Sequence, residues 1–209
     1  MFTGLVEAVG QLVERKPIDC GARVRIATPL ASELSPGDSL AVNGVCLTVI
    51  FARDGEVHAE VGPETLRVTT LGSVARGAML NLERPLRADA RFGGHFVSGH
   101  VDGIGHVEDK RTEAEFMWLT VAFPDALAPL FVHKGSVAMD GISLTVAGLG
   151  SDRFDVMIIP HTIANTNLKT IQVRDRVNLE CDLVGKYVLR AAELAGLSFR
   201  PVGSEEVRH

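Results

Sequence analysis

Several features that would place this protein in a membrane or on a nucleic acid are missing from its sequence. No apolar run approaches the roughly 20 residues that a helix needs to cross a bilayer. The first residues, Met1–Glu7, lack the basic-then-apolar layout of a signal peptide. The formal net charge is -5, and no basic stripe is available to neutralise phosphates. We therefore expect a cytoplasmic protein with neither a membrane nor a nucleic-acid partner.

Patterns that would hold a metal or a redox cofactor are also missing. Cys20, Cys46 and Cys181 are far apart and form no CxxC pair, which favours free thiols over disulfides or a zinc site. The histidines of residues 95–106 are spaced by five and six positions, which mixes the two faces of a strand. The pair Gly103-x-Gly105 lacks the third glycine of a dinucleotide fingerprint. No metal and no cofactor are expected.

The chain contains an internal repeat. Val42–Val49 lies 97 positions before Met139–Val146, and four of the eight aligned pairs are identical. Three further blocks repeat in the same order: Thr3–Val6 with Ser98–Val101 at an offset of 95, then Pro63–Thr65 with Pro160–Thr162 and Asn81–Glu83 with Asn178–Glu180 at an offset of 97. Four blocks at a nearly constant spacing predict a duplicated domain with a boundary near Gly93-Gly94.

Each copy has the pattern of a small β-barrel. Asn43-Gly44, Asp54-Gly55 and Asp140-Gly141 lie between apolar or alternating segments, as expected of type I′ hairpin turns. Strands that turn about every ten residues suggest a closed barrel. Hydrophobic residues make up 46% of the chain and aromatic residues only 5%, so the predicted barrel interior is aliphatic. Period alone leaves Greek-key and up-and-down connections open.

Helical structure is predicted at three places. Pro63–Leu71 and its counterpart Pro160–Leu168 have the pattern of a short helix or turn, with proline at the first helical position. Val184–Leu197 has apolar residues at helical spacing and few breakers, which predicts a continuous helix.

The motifs of the chain resemble those of the riboflavin synthase α-chain family, whose domain is a lumazine-binding repeat. The resemblance rests on Met1–Val6, Asn43–Val49, Gly93–Val101 and Asp140–Val146 and extends from residue 1 to about residue 200. It implies an all-β fold of two tandem six-stranded Greek-key barrels of the ferredoxin reductase type, with a C-terminal α-helix. The implied units are a lumazine-binding barrel at residues 1–93, a second at 94–186, and a trimerisation helix and tail at 187–209.

The same resemblance assigns site residues in both copies. The implied ligand residues of the first barrel are Gly4, Leu5, Val6, Cys46, Leu47, Thr48, Glu60, Val61, Gly62, Pro63, Glu64 and Thr65. Those of the second barrel are Gly99, His100, Val101, Ser143, Leu144, Thr145, Met157, Ile158, Ile159, Pro160, His161 and Thr162. Lys134 matches a lysine that reaches the ligand of a neighbouring chain. Catalytic roles are expected for Cys46, His100, Ser143, Thr145, Phe2, Ser39 and Asp182.

The implied reaction transfers a four-carbon unit between two molecules of 6,7-dimethyl-8-ribityllumazine, giving riboflavin and 5-amino-6-ribitylaminouracil. Two identical substrates must then be treated differently, and the aligned pairs Cys46/Ser143 and Leu5/His100 are candidates for that asymmetry. The implied partners are two further copies of the chain, in a homotrimer, and lumazine synthase. Two alternatives stay open: a non-catalytic lumazine or flavin carrier, and repeated glycine, threonine and proline residues that only form turns.

Overall fold

The computed structural model describes residues 1–197 and consists of two closed antiparallel barrels. The first barrel contains β1 (Ala8–Ile18), β2 (Gly21–Ala27), β3 (Ser39–Val42), β4 (Val45–Arg53), β5 (Glu56–Val61) and β6 (Met79–Glu83). The second contains β7 (Gly103–Glu113), β8 (Phe116–Ala122), β9 (Ser136–Met139), β10 (Ile142–Leu149), β11 (Arg153–Ile158) and β12 (Arg176–Cys181). Around the first barrel the order is β1-β2-β5-β4-β3-β6, and the second follows the same order with its own strands. Because β2 lies beside β5 and not beside β3, the connections are Greek-key, and the expected six-stranded fold is confirmed.

The predicted hairpin turns are present, and their backbone explains the residues that occupy them. Asn43 and Gly44 have φ values of 45° and 76°, and Asp140 and Gly141 have 45° and 75°. Asp54-Gly55 joins β4 to β5 in the same left-handed region. Positive φ at both central positions is what a type I′ turn requires, and asparagine, aspartate and glycine tolerate it best.

The two-residue difference between the copies lies in the connection from the second to the third strand of each barrel. In the first barrel Pro29–Glu33 forms a 3₁₀ turn, whereas Asp125–Leu130 forms the corresponding, longer turn in the second. After it, Lys134 occupies the place of Gly37, and both residues have positive φ. The Gly37 N–H donates to the Val49 carbonyl of β4, and the Lys134 N–H donates to the Val146 carbonyl of β10.

Short helices follow the fifth strand of each barrel, as predicted. They are α1 (Pro63–Val68) and α2 (Pro160–Ala164), each starting with proline and each followed by a 3₁₀ turn. The C-terminal helix α3 (Leu183–Leu194) ends three residues earlier than the prediction. Gly196 at φ 72° closes it, because the N–H groups of Gly196 and Leu197 donate to Glu193 and Ala192 in the pattern of a Schellman cap.

The two barrel cores differ in composition. The first is built from leucine, valine, isoleucine and alanine, as predicted. The second also contains Phe123, Phe131 and Phe154, whose rings pack with centroids 4.4–6.0 Å apart, so the expectation of an aliphatic interior is wrong for this barrel. A third, small cluster lies where the copies meet and contains Phe2, which is fully buried and pairs with Val97.

A reciprocal hydrogen-bond network joins the barrels about a pseudo-twofold axis. The Asn81 side chain donates to the Asp140 carbonyl (2.9 Å), and the Asn178 side chain donates to the Asn43 carbonyl (2.8 Å). The side-chain oxygens of Asn43 and Asp140 in turn accept from the backbone N–H groups of Asn81 and Asn178. Each turn is therefore fixed by a strand of its own barrel and by an amide of the other.

Asp140 is the charged member of this otherwise neutral network. It lines a cavity of about 440 Å³ between the barrels, together with Arg174, Asp175 and Arg176. Burial raises the pKa of Asp140 from 3.8 to about 6, against the opposing effect of hydrogen bonds from Asn178 and Asn167. The corresponding residue of the first barrel is the uncharged Asn43.

We predict that Asp140 makes stability depend on pH in a specific direction. Since its pKa is higher in the folded protein than in the unfolded chain, its contribution to the free energy of unfolding falls as the pH rises from about 4 to about 6 and is level above that. A shift of about two pKa units corresponds to roughly 3 kcal/mol in all. Urea unfolding of the protein and of Asp140→Asn across this range measures it, and a constant difference between the two would contradict the prediction.

Candidate functional site

The segment that precedes each barrel crosses to the other barrel. The Ser143 N–H of β10 donates to the Gly4 carbonyl at 2.8 Å, and the Cys46 N–H of β4 donates to the Gly99 carbonyl at 2.9 Å. Gly4 and Gly99 have φ values of 77° and 82°. A Cβ atom at Gly4 would lie 2.7 Å from the Ser143 Cβ, and one at Gly99 would lie 2.5 Å from the Cys46 Cβ. Only glycine allows this approach.

The crossing corrects the grouping of the expected site residues. The resemblance groups Gly4–Val6 with Cys46, and Gly99–Val101 with Ser143. In the structure Gly4–Val6 lies against Ser143, and Gly99–Val101 lies against Cys46. Sequence alignment of the copies shows which residues correspond, but not on which barrel a segment packs.

We call the two resulting surfaces the first and the second pocket. In the first pocket the outward face of β4 presents Cys46 and Thr48 beside Gly99–Val101. In the second, the outward face of β10 presents Ser143 and Thr145 beside Gly4–Val6. The thiol of Cys46 and the imidazole of His100 thus belong to the first pocket. The expected asymmetry is concentrated there and is not divided between the two sites.

The threonine of each pocket has neighbours at equivalent positions on the two adjacent strands. In the first pocket Thr48 pairs with Ser39 and lies next to Glu60, one position from the Val49–Ala59 pair. In the second pocket Thr145 pairs with Ser136 and lies next to Met157, by the same register. Ser136 was missed by the sequence prediction, although the offset of 97 from Ser39 identifies it.

The pockets also differ in polarity. Glu60 forms an ion pair with Arg23 across β2 and β5 at 2.7 Å in the first pocket. The corresponding pair on β8 and β11 is Trp118 and Met157, and Met157 is 45% exposed. Leu5 is 50% exposed and adds a further apolar side chain to the second pocket. The first pocket is therefore the more polar of the two, apart from its thiol.

Four of the expected ligand residues face the barrel interiors. Leu47, Val61, Leu144 and Ile158 are buried members of the two cores. Successive residues of a strand point to opposite sides, so a continuous stretch cannot present every side chain to a ligand. These four residues can offer a ligand only backbone groups.

The connections after β5 and β11 extend the pockets along their rims. Gly62, Pro63, Glu64 and Thr65 begin α1, and Ile159, Pro160, His161 and Thr162 begin α2. Glu64 binds Arg67 on its own helix, which lowers the pKa of the Glu64 carboxyl. His161 instead contacts Asn165.

Three further residues were expected in the site, Phe2 and Asp182 with catalytic roles and Lys134 as a ligand residue. Phe2 is fully buried between the copies, so its side chain supports the crossed segments and has no surface for a ligand. Asp182 caps α3, with one carboxylate oxygen accepting from the Val184 N–H at 2.9 Å. Lys134 is exposed in the turn before β9, and its backbone N–H donates to the Val146 carbonyl of β10.

His95 is a candidate residue that the sequence prediction did not include. Its Nδ1 lies 2.7 Å from the Ser143 hydroxyl, and the side chain is buried. Burial lowers the pKa of His95, while the charge of Asp182 acts in the opposite direction. An imidazole that is neutral near pH 7 can accept the hydroxyl proton of Ser143, which makes the second pocket capable of nucleophilic or base chemistry.

The comparisons with known proteins place the chain in a family. The model of the lumazine binding domain matches twice, at residues 3–85 and 98–182. A riboflavin synthase of Bacillus amyloliquefaciens is 40% identical over 91% of this chain and 89% of the relative, and one of Mycobacterium bovis is 42% identical over 94% and 100%. The chain belongs to the riboflavin synthase family. The expected resemblance is therefore confirmed.

Solved structures support the fold. LumP complexed with riboflavin has a TM-score of 0.80 and is 22% identical, covering 87% of this chain and 99% of that chain. LumP complexed with 6,7-dimethyl-8-(1'-D-ribityl) lumazine has a TM-score of 0.79 and is 21% identical, covering 86% and 98%. No helix within residues 1–197 is long and apolar enough to span a membrane.

We predict that His95 titrates below its ordinary pKa of 6.5, because its side chain is buried against Ser143. Asp182→Asn should lower the pKa further, since it removes a negative charge that favours the imidazolium and keeps a residue able to cap α3. NMR titration of labelled histidine measures both values. A His95 pKa above 6.5, or a rise in the variant, would be inconsistent with this environment.

Proposed function

We propose that the protein is a riboflavin synthase, a transferase that converts two molecules of 6,7-dimethyl-8-ribityllumazine into riboflavin and 5-amino-6-ribitylaminouracil. The observation that carries the proposal is the pair of similar but chemically unequal pockets within one chain. Matched Ser-Thr sets suit two copies of one neutral, polar heterocycle. The unequal groups beside them suit a reaction in which the copies take different parts.

The chemistry requires a nucleophile at one lumazine and removal of a proton from the 7-methyl group of the other. The first pocket supplies the Cys46 thiol and the His100 imidazole from its crossed segment. The second supplies the Ser143 hydroxyl, hydrogen-bonded to His95. The four-carbon unit leaves one lumazine and joins the other, so oxidation of one ring balances reduction of its partner and the reaction needs no external oxidant.

We propose that the reaction centre forms between the first pocket of one chain and the second pocket of another. Both pockets lie on the outer faces of their barrels, where a second chain can approach. Lys134 is exposed, as a contact with the ligand of a neighbouring chain requires. Two rings held face to face gain an orientation effect of roughly 7 to 11 kcal/mol at best.

We further propose a homotrimer held together by α3. The helix is joined to the second barrel by an ion pair between Lys186 and Asp102 at 2.7 Å, and it exposes an apolar stripe of Val184, Tyr187, Val188 and Leu194. Such a stripe at helical spacing is typical of a contact between helices. The expected tail, Pro201–His209, lies outside the described residues. Association with lumazine synthase stays a prediction of the family resemblance, as does a cytoplasmic location, which the free thiols of Cys20, Cys46 and Cys181 favour.

The proposed activity is tested with the lumazine as the only substrate. We expect riboflavin absorbance to appear without added cofactor and two ligand molecules to bind per chain. Binding of two ligands without turnover would instead favour the carrier, the alternative suggested by the LumP structures.

Cys46→Ser and His100→Ala test the groups of the first pocket. We expect each to lower the rate of riboflavin formation by about 10²-fold or more, the usual scale for a lost nucleophile or general base. Cys20→Ser is the matched control, because Cys20 is an exposed thiol in the turn between β1 and β2. An unchanged rate in Cys46→Ser would remove a specific role for the thiol.

Sedimentation tests the trimer. Tyr187→Glu places a charge in the exposed apolar stripe of α3, so we expect dissociation of the trimer to single chains. Glu193→Lys changes charge on the side of the same helix that faces away from the stripe and should leave the assembly intact. A single-chain species for the unaltered protein would refute the proposed assembly.

A further inference from the structure

A buried carboxylate at or next to the end of the last strand of each barrel binds the segment of its own copy that crosses to the other barrel. Glu83 on β6 is 6% exposed, and Glu180 on β12 is 2% exposed. One oxygen of Glu83 accepts from the Thr3 backbone N–H (2.6 Å) and hydroxyl (2.8 Å), and the other accepts from the Gly4 N–H (2.9 Å).

Glu180 repeats this arrangement in the second copy. One of its oxygens accepts from the Ser98 backbone N–H and hydroxyl, both at 2.7 Å, and the other accepts from the Gly99 N–H at 3.0 Å. The bound hydroxyl extends the chain of contacts, because the Ser98 Oγ accepts from the His100 N–H at 3.3 Å. The Thr3 Oγ1 accepts from the Leu5 N–H in the same way.

These carboxylates are unusual for core positions. Among residues 1–197 neither forms an ion pair, although an unpaired buried carboxylate is costly unless hydrogen bonds replace its water. Burial raises the pKa of Glu83, and the hydrogen bonds from Thr3 and Gly4 oppose that rise. A carboxylate is the side chain that accepts three donors on two oxygens without offering a donor of its own. The donors here are all in the crossed segments.

We propose that Glu83 and Glu180 are positioning residues that each hold the wall of the pocket on the opposite barrel. Glu83 belongs to the first barrel, but the Gly4 carbonyl that it fixes receives the Ser143 N–H of the second pocket. Glu180 belongs to the second barrel, but it fixes Gly99 against Cys46 in the first pocket and places His100 there. For ligand binding, the inference rests on the proposed function.

Because each glutamate holds a segment of the pocket on the opposite barrel, we expect each substitution to disturb the pocket of the opposite barrel and not that of its own. Glu180→Gln puts an amide N–H₂ where an acceptor is needed and should loosen residues 98–100, which cover Cys46. Glu83→Gln should loosen residues 3–5 against Ser143 and leave Cys46 as it was. Since a hydrogen bond to a charged group is stronger than one to a neutral group, we expect riboflavin affinity to fall about tenfold or more in the pocket served by the altered residue.

Two probes read the pockets separately. In a Cys20→Ser background, alkylation of Cys46, followed by mass spectrometry of its peptide, reports on the first pocket. The methyl resonance of ¹³C-labelled Met157 reports on the second pocket, where Met157 is exposed. Cys181 is buried, and burial raises the pKa of its thiol to about 12, so it does not compete for the alkylating reagent.

Without ligand, Glu180→Gln should speed alkylation of Cys46 about tenfold and raise amide exchange of residues 98–100, with Glu83→Gln at the unaltered rate. In the unaltered protein, bound riboflavin should slow alkylation of Cys46 and shift the methyl resonance of Met157. In Glu180→Gln riboflavin should no longer slow the alkylation, and in Glu83→Gln it should no longer shift the resonance. Equal effects on both pockets, effects on the pocket of the same barrel, or no effect would each overturn the proposal.

Two milder variants keep the test valid if Glu83→Gln or Glu180→Gln fails to fold. Ser98→Ala and Thr3→Ala remove only the hydroxyl donor of each carboxylate and should give the same crossed pattern with smaller changes. The ligand-free measurements also separate the two proposals. If the crossed changes in alkylation and exchange occur but the protein forms no riboflavin from lumazine, the positioning role stands and the proposed activity fails.

Discussion

The close contact between the two hairpin turns, Asn43-Gly44 and Asp140-Gly141, is the constraint on which the rest of the structure depends. A Cβ atom at either glycine would lie 2.7 Å from the backbone nitrogen of the other, so the turns touch backbone to backbone. The asparagines Asn81 and Asn178 then close the contact with reciprocal hydrogen bonds. This contact sets the pseudo-twofold axis, and the axis sets where the crossed segments lie.

Pseudo-symmetry gives two pockets, and a small number of substitutions make them unequal. Cys46 and His100 meet in the first pocket because one is on a strand and the other is on a segment from the opposite copy. In the second pocket the pseudo-twofold relation places Leu5, from the segment before the first barrel, beside Ser143 on β10. The thiol comes from the first repeat and the imidazole from the second, and both lie in the same pocket. The two pockets therefore differ by two side chains instead of one each.

The fold was predictable from the sequence because its signals are local or repeated. The Asn-Gly and Asp-Gly pairs require positive φ, and the offset of 97 carries each element of one copy to the other. The crossing was not predictable, because a crossed and an uncrossed pair of copies have the same alignment. His95 lies outside the repeated blocks, so no internal comparison indicated it. Leu47 and Ile158 were expected at the ligand, but strand alternation turns their side chains into the cores.

The crossed segments have a consequence for the isolated parts of the chain. A single barrel carries the strand face of one pocket and the covering segment of the other, so it holds no complete site by itself. Two copies of one barrel would have to exchange these arms to rebuild a pair of pockets, and such pockets would be identical. Fusion of the copies into one chain is what allows the two halves to diverge. The unequal pair of pockets therefore exists only in the fused pair of barrels.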